Sequence, residues 1–564
     1  MFSSLALILC SWLVAAGGFV GLGALTWRLM GGQWPEVNGR APLFFTGWAT
    51  ALAFLQLWHF ARPVDVLATM CLAGGGALGL GLWFRSGKVR LRRPGPGDFV
   101  HFGFVTVASV LTANLALSNA THADMGAYFV SSLRWAQEYR LPPGLGNFSF
   151  LLALNQSYFL YVAALDVGPL HAHGHHLANG LLGLGLMWRI ARGLVRHVLA
   201  AEAPGFAQTA GALMLPAVFE STRTLNVAGP IADLSVFLVG CQLVLLWSEL
   251  WESRERRDSE RRTLLRALVF IGAAGIAMKS SLLCVAVPLG LAAVLGNVPW
   301  SRAQWRTSAL ESGKQWAIGL VVLLPWMLRG VVLSGYPLFP SPLLSLPVAW
   351  RMAPEKVQEI ESYIKAFARN PNRPPEEVLS NWDWLWPWAS QLWLFNWEFL
   401  LPVGLTVLSL PFALLRWRGG GRFDGTRERL VLFAPLLVGL LLWFHLAPDI
   451  RFAGALMWGV AAFCVAMALR TGKRITLPER TAVALASTAL LAGALVLHPV
   501  PPWIARDGFE PLAESDTRTR VTRHGLEVKV PNGPRCFEAL CTPQFDERLR
   551  LRVPGDWASG FVVE

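Results

Sequence analysis

One carboxylate in the chain stands where an acid could do chemistry. Asp124, in the sequence THADMGAYF, follows directly after a long apolar segment. Ionisable groups at the edge of a membrane segment are costly and usually serve a function. A carboxylate at the mouth of a membrane cavity can act as a general base that removes a proton from an acceptor hydroxyl or amine. The alternative is a helix cap, since aspartate is a favourable N-cap residue.

A second acid and a lysine also stand at segment ends. Asp233, in NVAGPIADLSV, begins an apolar segment shortly after Pro230, and its alternative role is again a helix cap. Lys279 lies between two short apolar stretches in MKSSLL. It could neutralise a phosphate, extend its ammonium group to the interface, or pair with Asp233 or Asp124.

Two arginines are candidates for phosphate recognition. Arg329 ends an apolar segment just before SGYPLFP, a rigid turn that contains Tyr336. Arg451 follows Asp449 in HLAPDIRF. A guanidinium group binds phosphate with two parallel hydrogen bonds. The alternative for Arg451 is an ion pair with Asp449, which contributes little if it is exposed.

The histidine-rich sequence HAHGHH is a possible metal site. It places His171, His173, His175 and His176 close together. Imidazole nitrogens are common metal ligands, but no acid or cysteine lies beside these histidines. A polar loop is therefore the favoured interpretation, and no metal ligand is assigned.

The elements that must position these residues are membrane spans. The chain has 564 residues, of which 54% are hydrophobic and 15% are charged. Soluble proteins have about 25% charged residues, so a soluble globular enzyme is excluded. Seven cysteines exclude a disulfide scaffold. The net charge of +13 agrees better with basic loops of an inner-membrane protein than with nucleic-acid binding.

The sequence predicts an all-α polytopic membrane protein with about fourteen spans. A span needs about 20 apolar residues, and the first one is expected to be retained because no cleavable signal is evident. The segments are 4–26, 44–61, 65–84, 98–118, 175–195, 206–222, 228–248, 264–279, 280–298, 315–333, 391–415, 430–447, 452–470 and 481–498. We expect extra N-terminal helices in 1–97, a core in 98–498 and an outer tail in 499–564.

Clusters of Lys and Arg predict the orientation of the chain. They occur at 85–93, 189–196, 254–262, 416–429 and 470–480. All five lie in the cytoplasm if 148–170 does not cross the membrane, which its polar residues favour. The large outer elements are then 119–174, 334–390 and 499–564. Because the inner loops are short and basic, we expect any chemistry on the outer, periplasmic side of the inner membrane.

The tail differs from the rest in composition. Its runs GLEVKV and RLRLRV are typical of strands. Cys536 and Cys541 are the cysteines outside predicted spans, and a close pair on the outer side suggests a small disulfide loop. Two unpaired thiols are the alternative.

Several of these motifs together resemble a known family. DMGAYFVSSLRWAQEYRLPPGLGN and LNQSYF are followed in order by AGPIADL, MKSSLL, SGYPLFP, LAPDIRF and RCFEALCTP. This series is similar to a poorly characterised family of bacterial polytopic membrane proteins. That family in turn resembles the C-type glycosyltransferases, which take sugars from polyprenyl-phosphate donors and carry catalytic acids in a first large outer loop.

The resemblance implies inversion at the anomeric carbon with Asp124 as the base. It implies a lipid-linked sugar donor, a glycan or lipid acceptor, and no nucleic acid. The acid is single rather than a pair, which leaves a divalent metal requirement open, and three extra spans precede the usual core. The implied substrate-binding residues are His122, Tyr128, Asn155, Asp233, Lys279, Arg329, Tyr336 and Arg451.

Three other functions also fit such a chain. A polysaccharide polymerase or ligase would depend on outer Arg and His residues and not on Asp124. A transporter or flippase would carry acids near the middle of the membrane, whereas these acids cluster at its outer edge. A non-catalytic assembly subunit would form a solid bundle without a cavity beside Asp124.

Overall fold

The computed structural model is mostly helical, with 71% of residues in helices and a small C-terminal β region. It describes residues 2–36, 41–89, 93, 95–120, 122–199, 205–224, 227–253, 259–296, 305–417, 426–469, 509, 515–533 and 535–564. The predicted span 481–498 and most of the basic residues at 254–262, 416–429 and 470–480 lie outside this described part.

The described helices follow the apolar segments closely. The first ten are α1 (Phe2–Gly31), α2 (Leu43–Ala61), α3 (Val66–Arg85), α4 (Pro96–Ala116), α5 (Phe129–Glu138), α6 (Leu145–Phe148), α7 (Tyr158–Leu165), α8 (His175–Leu199), α9 (Phe206–Thr224) and α10 (Ala232–Glu252). The others are α11 (Ser259–Met278), α12 (Leu283–Gly296), α13 (Trp305–Ser334), α14 (Pro354–Phe367), α15 (Pro375–Ser380), α16 (Leu385–Phe395), α17 (Trp397–Trp417), α18 (Thr426–Leu446) and α19 (Gly454–Leu469).

Six of the described helices are long and apolar enough to cross a membrane. They are Ser4–Gly31, Val66–Arg85, Pro96–Ala116, Ala232–Glu252, Ala309–Ser334 and Trp397–Leu414. Three further apolar helices are shorter: Ser280–Leu295, Leu430–Leu446 and Gly454–Leu469. The fold is therefore that of a helical membrane protein, but the predicted count of fourteen spans is not confirmed. Apolar segments such as 206–222 and 264–279 form helices of mixed polarity instead.

Helix α10 forms the centre of the bundle. Its most apolar stretch is 94% buried, and it packs against α8, α9, α11, α12 and α19. A helix that is apolar on all sides must be surrounded by other helices, as the sequence ADLSVFLVGCQLVLLWSELWE requires. Its first turn therefore delivers Asp233 to the middle of one end of the bundle.

The N-terminal helices are integrated with the core. Helix α1 packs against α2, α3 and α11, and α2 also contacts α11, α13 and α7. This packing brings α2 to the same end of the bundle as the last turns of α13. The segment 1–97, expected as an addition to the core, thus contributes directly to its interior.

The loop between α4 and α8 folds into short elements at one end of the bundle. It contains α5, α6, a 3-10 turn at Phe150–Leu154 and α7. Helix α7 has eight residues and rises only about 12 Å, far less than the roughly 30 Å of a bilayer core. The stretch 148–170 is thus too broken to cross a membrane as a helix.

The C-terminal region forms two small antiparallel sheets. Strand β1 (Thr517–Val521) pairs with β2 (Glu527–Pro531), and β3 (Leu549–Leu551) pairs with β4 (Phe561–Val563). Strands β2 and β3 coincide with the strand-like runs GLEVKV and RLRLRV, whereas β1 and β4 lie outside them. Cys536 and Cys541 form a disulfide within the segment that connects β2 to β3. We call residues 515–533 and 535–564 the C-terminal domain.

Candidate functional site

Residues from three distant parts of the chain form one ion cluster at an end of the bundle. Asp233 stands in the first turn of α10, and Lys279 follows α11 directly. The Lys279 ammonium group donates a hydrogen bond to Asp233 Oδ1, and both side chains are largely buried. Asp233 therefore serves in an ion pair, not as the helix cap proposed as its alternative role.

Arg451 completes this cluster from the turn between α18 and α19. Its Nη1 lies 3.7 Å from Asp233 Oδ2, while its Nη2 donates to Asp449 Oδ2 at 2.6 Å. The Asp449 side chain also accepts from the backbone N–H of Arg451, which fixes the turn. We call Asp233, Lys279, Asp449 and Arg451 the ion cluster, in which two acids balance two bases.

The environment of Arg451 stabilises its charged form. Burial opposes the charge, but the hydrogen bonds and charge of Asp449, together with Asp233 and Asp124, hold the pKa of Arg451 above its ordinary value. The guanidinium group also lies over the ring of Phe452, as does the Lys279 ammonium group. Both cations are thus oriented by fixed partners before any ligand arrives.

Asp124 lies in a 3-10 turn, close enough for its charge to act on Arg451. Its side chain is 40% exposed, and His122 Nδ1 lies 3.9 Å from its Oδ2. His122 caps the turn by accepting from the backbone N–H of Asp124, so the Asp124 carboxylate is left facing outward. The charge of Asp124 raises the pKa of Tyr128, after the larger effect of burial, and Asp233 acts in the same direction.

The C-terminal domain covers the segment that carries Asp124. The backbone N–H of Cys536 donates to the carbonyl of Gly126 at 2.5 Å, and Ser131 donates to Cys536 and Glu538. An ideal Cβ on Gly126 would lie 2.6 Å from Arg535 Cβ, so only glycine fits beneath this segment of the domain. The disulfide loop therefore packs directly on residues 124–131.

Loss of the Cys536–Cys541 disulfide should loosen this contact. Replacing both cysteines by serine removes a cross-link that closes a short loop, which costs about 2 kcal/mol in the chain-entropy account. We expect faster hydrogen exchange in residues 124–131 and 535–541 of the purified protein. Cys10→Ser and Cys71→Ser, at exposed positions in α1 and α3, are the matched controls. Equal exchange in all variants would contradict this.

Arg329 is placed in a different environment from the ion cluster. It is only 4% exposed, and its Nη1 contacts His59 Nδ1 at 2.8 Å. The two side chains line a cavity of about 40 Å³ together with Tyr128, Asn155 and Gln156. Within the described residues, Asp124 does not line this cavity, but Tyr128 stands between the two features. Gln156 donates to the Tyr128 hydroxyl at 3.3 Å.

Tyr336 has a role in the turn that follows α13. Its hydroxyl donates to the carbonyl of Met352 at 3.1 Å, and the ring is fully buried. Its backbone N–H donates to Ser334 Oγ. These bonds hold the loop 335–352 against the end of α13. The structure gives Tyr336 no contact with the ion cluster in the described part of the chain.

The histidine-rich loop makes ordinary structural contacts. The carboxylate of Asp166 accepts from the backbone N–H groups of His173 and Gly174, and also from Gln137 at 2.7 Å. The ring of His173 stacks on Phe509. No group of three or more His, Cys, Asp or Glu residues able to hold a metal occurs among the described residues.

Two residues of these sites were not predicted as site residues from the sequence. His59 lies in an apolar segment and resembles an ordinary core histidine until its contact with Arg329 is known. Gln156 follows Asn155 in LNQSYF, which indicates a polar part of 148–170 and contributes to the family resemblance, but gives this residue no role in a site. The contacts that define both residues join positions more than 25 apart in the chain.

Fold and site together define a helical membrane protein with a partly buried ion cluster at the end that carries a small β domain. The chain belongs to the family described as domain of unknown function DUF8201, whose model matches residues 5–458. The match includes Asp124, the ion cluster and Arg329, while the C-terminal domain lies beyond it. No curated protein and no solved structure matches the chain.

Proposed function

We propose that the chain is a membrane glycosyltransferase that moves a sugar from a polyprenyl-phosphate donor to a glycan or lipid acceptor. The observation that carries this proposal is a partly exposed carboxylate, Asp124, whose charge acts on Arg451 in the cluster that also holds Lys279 in place. A base and pre-oriented cations are the groups that this transfer requires.

The proposed reaction is a single displacement. Asp124 takes the proton of the acceptor hydroxyl while its oxygen attacks the anomeric carbon. The bond from that carbon to the phosphate oxygen breaks, and the electron pair leaves with the lipid phosphate. Attack opposite to the leaving group inverts the anomeric configuration.

Lys279 and Arg451 would stabilise the departing phosphate. One of the three Lys279 N–H groups donates to Asp233, and Arg451 Nη1 lies 3.7 Å from Asp233, beyond hydrogen-bonding distance. These donors remain for phosphate oxygens, whose charge grows as the bond breaks. Asp233 and Asp449 act as positioning residues for the two cations.

The proposal also includes the location of the active site, the path of the donor lipid and the role of the C-terminal domain. The active site faces the periplasm at the end that carries the C-terminal domain, and the donor lipid enters between helices of an inner-membrane protein. The C-terminal domain lies beside Asp124, where it could recognise the acceptor. The cation cluster suits a phosphate without a metal, although a divalent ion bound with the substrate stays compatible with a single acid.

Replacement of Asp124 tests the proposal. In a strain that lacks the gene, we expect Asp124→Asn to lower the surface glycan at least 100-fold below wild type, the usual effect of losing a general base. Asp383→Asn, an exposed aspartate in the loop 334–390, is the matched control and should restore normal glycan. Both proteins must be present at equal levels.

The same assay separates the rival functions. Normal glycan with Asp124→Asn would contradict the proposal. If Asp124→Asn is active while Arg451→Gln is inactive, a polymerase or ligase that relies on cationic groups is favoured. If both variants are active, the ion cluster is structural and the chain acts as an assembly subunit or transporter.

A further inference from the structure

The cavity beside α13 holds a buried cation without an acidic partner. Arg329 lies in the candidate span Ala309–Ser334 and is 4% exposed. No carboxylate pairs with it among the described residues, and its Nε has no hydrogen-bond partner there. A buried guanidinium group without a counter-ion is costly, so a charge within a span points to a ligand or a functional partner.

The His59 imidazole is uncharged, so it does not alter the net charge of the cavity. Its Nε2 lies 3.1 Å from the carbonyl oxygen of Tyr139, so Nε2 must carry a proton and donate it. Nδ1 is then the acceptor for the Arg329 Nη1 donor at 2.8 Å. The histidine is therefore neutral, and the cavity has one unit of positive charge from its lining residues.

Four buried polar atoms beside this charge lack partners in the described structure. Arg329 Nε and Trp135 Nε1 are donors, and Asn155 Oδ1 and Gln156 Oε1 are acceptors. The orientation of Asn155 is fixed, because its Nδ2 donates to Trp326 at 2.7 Å and leaves Oδ1 free. Gln156 can rotate its amide and donate instead, since the Tyr128 hydroxyl can act as donor or acceptor.

We propose that this cavity binds a ligand in which a hydroxyl group stands on the carbon next to a carboxylate, as in a 2-hydroxy acid. The single positive charge matches a monoanion and not a phosphate dianion. The volume of about 40 Å³ accommodates a group the size of a few water molecules. The carboxylate accepts from Arg329 Nε and Trp135 Nε1, and the hydroxyl donates to Asn155 Oδ1.

This site is independent of the proposed transfer reaction. The ligand group is the same whether it belongs to a small free acid or to an acidic sugar that enters from the side of Tyr128. If the chain is a glycosyltransferase, the site selects substrates that bear a carboxylate. The binding measurement below uses no transfer reaction, so its failure and the failure of the proposed function are distinguishable.

Thermal unfolding of the full chain in detergent tests the site. At constant ionic strength in sodium methanesulfonate, whose anion has no hydroxyl group, we expect saturating glycolate to raise the Tm by about 1–3 °C. Acetate, without the hydroxyl, should give a smaller shift, and uncharged glycolamide should give none. Glucuronate compared with glucose tests whether a sugar-borne acid is accepted. A phosphate or chloride shift as large as that of glycolate would overturn the proposal.

Two variants of the cavity and one control variant make the binding test decisive. Asn155→Asp places a carboxylate inside the cavity, and aspartate tolerates the left-handed backbone of this residue (φ 53°). The substitution loses the Nδ2 donor to the Trp326 carbonyl, so the readout is not the Tm itself but the response to glycolate, which we expect to be absent. Arg329→Gln should also lose the response, while Arg451→Gln, in the ion cluster, should keep it. A wild-type response in Asn155→Asp, or no response in wild type, would show that water fills the cavity.

Discussion

Replacement of Lys279 by methionine should destabilise the protein by about 3–5 kcal/mol, the usual cost of removing one partner of a buried ion pair. The Asp233 side chain is only 2% exposed, and Arg451 Nη1 is too far away to replace the lost hydrogen bond. Unfolding in detergent, followed by circular dichroism, measures the loss. Lys356→Met, which breaks an exposed pair with Glu359, is the matched control and should cost less than 1 kcal/mol.

The double variant Lys279→Met with Asp233→Asn makes this test specific. Removing both charges leaves no buried unpaired ion, so we expect much of the lost stability to return. Destabilisation that is simply additive would show that the two side chains do not depend on each other. A loss in Lys279→Met no larger than that in Lys356→Met would contradict the importance of the ion cluster for the fold.

The helices were predictable because burial in a bilayer requires long apolar runs, which are visible locally in the sequence. The described helices α1 to α4 and α8 to α12 coincide with predicted segments to within several residues, whereas α13 begins at Trp305, well before the predicted start at 315. The number of spans was not predictable in this way. A segment such as 264–279 is apolar enough to be buried among other helices. Helix α11, however, begins at Ser259 with the charged residues Glu260, Arg261 and Arg262, and it is not a candidate span.

The sequence predicts which residues belong to the candidate site, but it does not predict which of them form ion pairs. Asp233, Lys279 and Arg451 were visible because charge is scarce in this chain, and pairing with Asp233 was one of several options for Lys279. The partner that Lys279 takes depends on long-range contacts. Asp233 and Lys279 are 46 positions apart, and Asp233 and Arg451 are more than 200 apart, so local spacing does not predict these pairs. For the same reason Arg329 was grouped with the phosphate-binding cations, whereas packing of α2 against α13 places it beside His59.

Phe561 should anchor the C-terminal domain to the segment that carries Asp124. Its ring is fully buried against Phe148 and Trp135, with ring centroids 5.0 and 5.9 Å apart. Its backbone N–H donates to the carbonyl of Pro143 at 2.8 Å. Phe561→Ala removes the ring and keeps the backbone bond, so we expect a loss of about 3–5 kcal/mol in the attachment of the domain.

Hydrogen exchange and limited proteolysis measure this effect. In Phe561→Ala, the strands β3 and β4 and residues 143–148 should exchange faster, while the central helix α10 keeps its protection because it does not rely on the domain. Val553→Ala, at an exposed position just beyond β3, is the matched control and should exchange like wild type. Unchanged exchange in Phe561→Ala would show that the domain is held mainly by its backbone hydrogen bonds. If the exchange of residues 124–131 also rises, the domain positions Asp124 through this contact, and the Phe561→Ala protein should then show a lower surface glycan level in the complementation assay.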